Sequence, residues 1–79
     1  MYNKIKPGQH VIVATWDCRV YMGLLSANTS DYVVLKDDVE VYKLGNTVTT
    51  YVLARVDIKK ENIEIMAPIH YMPIEERLY

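Results

Sequence analysis

Apolar and polar positions alternate with a period of two along most of the chain, the period of a β-strand. The pattern is clearest around residues 48–58, where Val48, Val52, Ala54, Val56 and Ile58 take one side and Tyr51, Leu53, Arg55 and Asp57 the other. From Val11 to Met66 the sequence is rich in Val, Ile, Tyr and Thr, and no long helical period interrupts it. Pro7-Gly8, Asp17-Cys18, Gly45-Asn46 and the KKEN stretch at 59–62 supply turn chemistry between the apolar runs. This punctuation predicts five strands, at about residues 10–16, 19–27, 31–35 (or, continuing past Asp37-Asp38, 31–44), 47–58 and 63–66.

A two-residue turn at Asp17-Cys18 would pair Trp16 with Arg19, Ala14 with Tyr21 and Ile12 with Gly23 on one face. The opposite face would carry Val11, Val13, Val20, Met22 and Leu24. Both faces are then largely apolar, so the sheet needs cover on both sides, unlike an open antiparallel sheet with one wet face. Five short antiparallel strands under that constraint predict an all-β fold, a small, strongly bent five-stranded antiparallel barrel. Gly23 marks the expected bend, because a residue without a side chain relieves crowding on the inside of a sharply curved strand.

Composition narrows the picture. A chain of 79 residues makes one small domain with a thin core; the barrel is expected over about 9–67, with a tail at 68–79 containing Tyr71, Met72, Leu78 and Tyr79. Cys18 is the only cysteine, which excludes an intrachain disulfide and points to a reducing, cytoplasmic compartment. Association with other subunits is left as the means of stabilising so small a core. Charged residues interrupt every apolar stretch well short of a membrane span, and the start has no signal-peptide pattern, so no membrane partner is expected.

Nine Lys plus Arg against ten Asp plus Glu give a net charge of -1, which argues against coating nucleic acid through overall basicity and leaves room for a local basic site. His10 and His70 lie far apart and Cys18 is a lone thiol, so no metal spacing is present and no cofactor is expected. Asp37-Asp38 is a carboxylate pair with no neighbouring histidine, nucleophile motif or phosphate-binding glycine loop, so neither catalysis nor a small-molecule substrate is expected. Trp16 beside Arg19 suggests a structural cation–π contact.

The stretch VIVATWDCRVYMGLL reads V-x-V-x-x-x-D-x-R-x-Y-x-G-x-L and resembles the first signature of the Sm and Sm-like (LSm) RNA-binding proteins. DYVVLKDDVE is similar to the remainder of that signature, and VDIKKENIEIM resembles the second, V-x-I-R-G-x-N-V-x-x-I. The two occur in family order over residues 11–66. The bacterial Hfq form of the second signature, with its Lys-His pair, is absent. The chain also departs from the family pattern: the N-terminal helix is short or absent, Cys18 stands for the glycine of the first hairpin, and Lys59-Lys60 stand for Arg-Gly. The asparagine entering the third strand falls on Tyr32 or Val33, depending on a one-residue gap.

The resemblance implies a homo-oligomeric ring built by edge-strand pairing of the fourth and fifth strands, binding single-stranded nucleic acid, RNA before DNA, at the pore, with a role in RNA processing or metabolism. The implied contacts are Lys59 and Lys60 for phosphates, Tyr32 for base stacking, and Asn28 and Asp31 for base edges or the loop turn. One rival reading keeps the barrel as a structural or protein-interaction module without nucleic acid. Another is a monomeric SH3-like or Tudor-like barrel that binds peptides.

Overall fold

The computed structural model describes residues 5–69; the tail residues from His70 onward, with Tyr71, Met72, Leu78 and Tyr79, lie outside that range. Five strands form one antiparallel sheet: β1 (His10–Thr15), β2 (Arg19–Asn28), β3 (Tyr32–Lys43), β4 (Thr49–Lys59) and β5 (Ile63–Pro68). A 3-10 turn, Lys60–Asn62, links β4 to β5. The order across the sheet is β4-β3-β2-β1-β5, so β4 and β5 are its two edges. The sheet curls until residues from both edges share one core: Ile58 of β4 and Ile63 and Met66 of β5 join Val11, Val13, Leu25, Val33, Leu35, Val39 and Val41. Curling brings the edges together around this core without hydrogen-bonding β4 to β5, so the expected barrel is a bent sheet with two free edges. Among the described residues there is no α-helix.

The first hairpin corrects the predicted register. Ala14 pairs with Val20, Val13 with Tyr21, Ile12 with Met22 and Val11 with Gly23, one residue away from the pairing a two-residue turn would impose. The loop is Trp16-Asp17-Cys18, closed by the Cys18 N–H donating to the Thr15 carbonyl (3.2 Å), and Cys18 takes the left-handed conformation with φ 64°. A three-residue hairpin loop ends in such a residue, normally glycine. Because strand side chains alternate, the one-residue slip changes the face of each strand relative to its partner: Val11, Val13, Tyr21 and Leu25 point inward, while Ile12, Ala14, Met22 and Leu24 lie half-buried outside. Arg19 lies beside Asp17 (3.2 Å), in place of the expected pairing with Trp16. A hydrogen bond to Tyr21 first, and the Asp17 charge second, raise the Arg19 pKa above its ordinary value.

Cys18 pays a conformational cost that the glycine of the Sm signature would avoid, since an L-residue in this region is strained by about 1–2 kcal/mol. Glycine gives part of this back through its freer unfolded chain. Cys18→Gly is therefore expected to stabilise the fold by about 0.5–1 kcal/mol, read as a rise of several degrees in a thermal melt followed by circular dichroism; a lower midpoint would contradict the turn geometry.

The second irregularity lies in β3. Asp37 and Asp38 both have positive φ, 64° and 57°, and form a bulge between Lys36, paired with Arg55, and Val39, paired with Leu53. Gly23 of β2 faces this bulge, between the pairs Met22–Glu40 and Leu24–Lys36. A Cβ at Gly23 would lie 3.0 Å from the Val39 Cγ2 and 3.4 Å from the Lys36 carbonyl oxygen. The glycine thus admits the close approach of β3 where the sheet bends, as the sequence suggested. The bulge also breaks the alternation expected for β4: Val56 and Ile58 face the core, and beyond Ala54 the inward residue is Leu53. Leu53, expected outside, packs on the core, while Val48 and Val52 remain exposed.

Candidate nucleic-acid interface

Two loops build the candidate site. The β2–β3 loop, Thr29-Ser30-Asp31, is a hydroxyl-organised turn: Thr29 Oγ1 accepts from the Tyr32 N–H (3.0 Å) and the Asp31 N–H (3.3 Å) and donates to the Tyr32 carbonyl (2.9 Å). Thr29 satisfies backbone groups that the tight turn would otherwise leave open, which is the ordinary use of Ser and Thr in such turns. The β4–β5 loop is the 3-10 turn after Lys59. The two loops are fastened to each other, since the Lys60 N–H donates to the Asp31 carbonyl (2.9 Å) and Lys59 lies across from Tyr32 in the sheet register.

The result is an open groove of about 360 Å³ lined by Ser30, Asp31, Tyr32, Lys59, Lys60 and Glu61. The structure therefore brings together four of the five expected site residues, Asp31, Tyr32, Lys59 and Lys60. Exposure separates the two residues that could stand at the asparagine position: Tyr32 is 40% exposed and lines the groove, whereas Val33 is buried in the core. Asn28 lies next door. Its Nδ2 donates to the Ile5 carbonyl (3.0 Å), holding the N-terminal segment against the end of β2, and it lines an adjoining hollow of about 350 Å³ that shares Ser30 and Lys60 with the groove.

The electrostatics are balanced. Lys59 and Lys60 supply two ammonium groups, and Asp31 and Glu61 supply two carboxylates along the same groove. Farther along β4, Arg55 is paired with Asp57 (3.0 Å), and the hydrogen bond and then the charge of that carboxylate raise the Arg55 pKa above its ordinary value. The arrangement can offer an aromatic face for stacking beside donors for phosphate oxygens. Thr29 and Glu61 were not among the residues singled out from sequence; the polar run NTSD carried the only available signal for Thr29, as a turn.

No family model matches the chain, and no curated protein sequence does. Solved structures do. An archaeal Sm protein, whose crystal structure is described as heptameric, superposes with a TM-score of 0.63 at 19% identity, over 80% of this chain and 88% of that one. The fold is that of the Sm proteins. A chain in the crystal structure of the NatC complex bound to CoA superposes with a TM-score of 0.65, also at 19% identity, over 92% of this chain and 88% of its own length.

Proposed function

We propose that the protein binds single-stranded RNA in the groove of Asp31, Tyr32, Lys59 and Lys60, as a non-enzymatic homo-oligomeric ring in which β4 of one protomer pairs with β5 of the next. The observation that carries the binding reading is the fastening of the two loops, which presents one exposed aromatic ring and two lysines in a single groove. Assembly is supported by the two unpaired edges, each with an exposed apolar residue, Val52 (59% exposed) on β4 and Ile65 (57% exposed) on β5. Unpaired strand edges are templates for further strand addition, and the archaeal Sm protein of the same fold is a heptamer. Repetition of the groove around a ring would add the individual contacts as avidity.

Because Asp31 and Glu61 offset the lysines, stacking on Tyr32 carries a large share of the affinity in this reading. Tyr32→Ala is expected to weaken binding of a labelled U-rich or A-rich oligonucleotide by at least about fivefold, from a stacking contribution of about 1–3 kcal/mol per base. Lys59→Ala with Lys60→Ala should flatten the log–log salt dependence by about 1.4, two phosphates at about 0.7 each. Fluorescence anisotropy measures both, and unchanged affinity and salt slope in all these variants would show the groove to be misassigned.

A second reading, a protein-interaction module that binds no nucleic acid, draws on the charge balance of the groove and on the likeness to a chain of the NatC complex. An assembly that ignores both oligonucleotides would select it.

A further inference from the structure

The 3-10 turn Lys60–Asn62 stands between two exposed aromatic residues. On one side it is bonded to the β2–β3 loop beside Tyr32; on the other, the Trp16 N–H donates to the Asn62 carbonyl (3.0 Å). Trp16 is 66% exposed, although tryptophan is among the residues most buried on average. Its backbone is held firmly: the Cys18 N–H bonds back to the Thr15 carbonyl, the buried Thr15 hydroxyl donates to the Asp17 carboxylate, and Asp17 pairs with Arg19. An aromatic surface mounted on so constrained a loop loses little backbone freedom when a ligand settles on it.

The hollows around this turn are neighbours that share lining residues. The groove already described shares Lys59 and Glu61 with a second hollow of about 380 Å³, which also contains Asp17, Arg19 and Asn62. The second shares Asp17 and Asn62 with a third, of about 300 Å³, whose remaining lining residue is Trp16. The three neighbouring hollows thus form a series from Tyr32 past Lys59 to Trp16, with an aromatic residue at each end. Two of the carboxylates along it are engaged, Asp17 by Arg19 and Asp57 by Arg55, which lessens their repulsion of a passing phosphate.

We infer that Trp16 is a second base-stacking platform, which takes a nucleobase of the same single strand after it has crossed the Lys59–Asn62 turn. This rests on the RNA-binding reading of the Tyr32 groove and extends it into a longer site with two stacking positions. Asn62 lies between them in the two further hollows, and its side-chain amide, which both donates and accepts, can read a base edge.

Trp16 is the only tryptophan in the chain, so its emission reports this platform alone. Unlabelled U-rich and A-rich RNA oligonucleotides of increasing length are titrated into the full-length protein under selective tryptophan excitation, with binding followed in parallel by anisotropy of labelled copies. Emission should be quenched only by oligonucleotides long enough to reach from Tyr32 to Trp16. Trp16→Ala should weaken binding of the long ones by at least about fivefold, the low end of a stacking contribution, and leave the short ones unchanged; Trp16→Phe should keep most of the affinity. Long oligonucleotides that bind by anisotropy without quenching, or that bind Trp16→Ala as tightly as the native chain, would overturn the platform and leave the Tyr32 groove standing. Absence of binding at every length would overturn both.

Discussion

Gly23→Ala lowers the midpoint of thermal unfolding by about 5–20 °C, the expected consequence of overpacking by about 1–3 kcal/mol in a domain of this size. The added Cβ would lie 3.0 Å from the Val39 Cγ2 and 3.4 Å from the Lys36 carbonyl. Neither neighbour yields easily. Val39 is fully buried and its branched side chain is stiff at χ1, while the Lys36 carbonyl borders the Asp37-Asp38 bulge. A chain of this length has a total stability of only about 4–12 kcal/mol, so the loss is a large fraction of it. Combining Gly23→Ala with Val39→Ala should cost less than the sum of the single substitutions, because the second removes the clash made by the first. A shift under about 2 °C for Gly23→Ala would mean that β3 does not approach β2 as closely as described.

The second large effect concerns the edges. Replacing Val52 and Ile65 together by lysine places like charges on the two strands that the proposed assembly brings together. Lysine on an edge strand is also a common natural block to strand addition. Both side chains are more than half exposed in the protomer, so the fold itself should survive, with an unchanged circular dichroism spectrum. The assembly should not: light scattering should fall to the mass of a single 9.2 kDa chain. Nucleic-acid affinity should fall with it, since a lone groove loses the avidity of a repeated one. A double variant that remains fully assembled would place the subunit contact elsewhere.

Five strands and their order of appearance were legible because alternation and turn residues are local signals. The observed strands His10–Thr15, Arg19–Asn28, Tyr32–Lys43, Thr49–Lys59 and Ile63–Pro68 lie within a few residues of the predicted spans. The faces were less legible. The first hairpin turns on Cys18, a non-glycine residue in the left-handed region; the residue itself has no preference for that conformation, and only the glycine that the resembling signature has at this place hints at it. The alternation of β4 changes phase opposite Asp37-Asp38, where two consecutive left-handed aspartates make a bulge that reads in sequence like an ordinary charged pair. In each place a tertiary constraint chose a backbone shape that local preference disfavours.

The site divides along the same line. Lys59, Lys60 and Tyr32 were found through the signatures, and the sheet register places Lys59 opposite Tyr32. Asn28 is a polar loop candidate for a base edge, and its amide holds the Ile5 carbonyl, a contact across 23 positions that no local pattern announces. The opposing carboxylates of Asp31 and Glu61 became part of the groove only when the two loops came together. The structural cation–π role expected for Trp16 depends on a cross-strand pairing with Arg19 that the three-residue loop removes.

The most direct measurement is native mass spectrometry of the full chain, alone and with U-rich and A-rich RNA oligonucleotides. A single closed assembly of several protomers that gains the mass of bound oligonucleotide is the predicted result. A spectrum of lone 9.2 kDa chains, unaltered by either oligonucleotide, would contradict it.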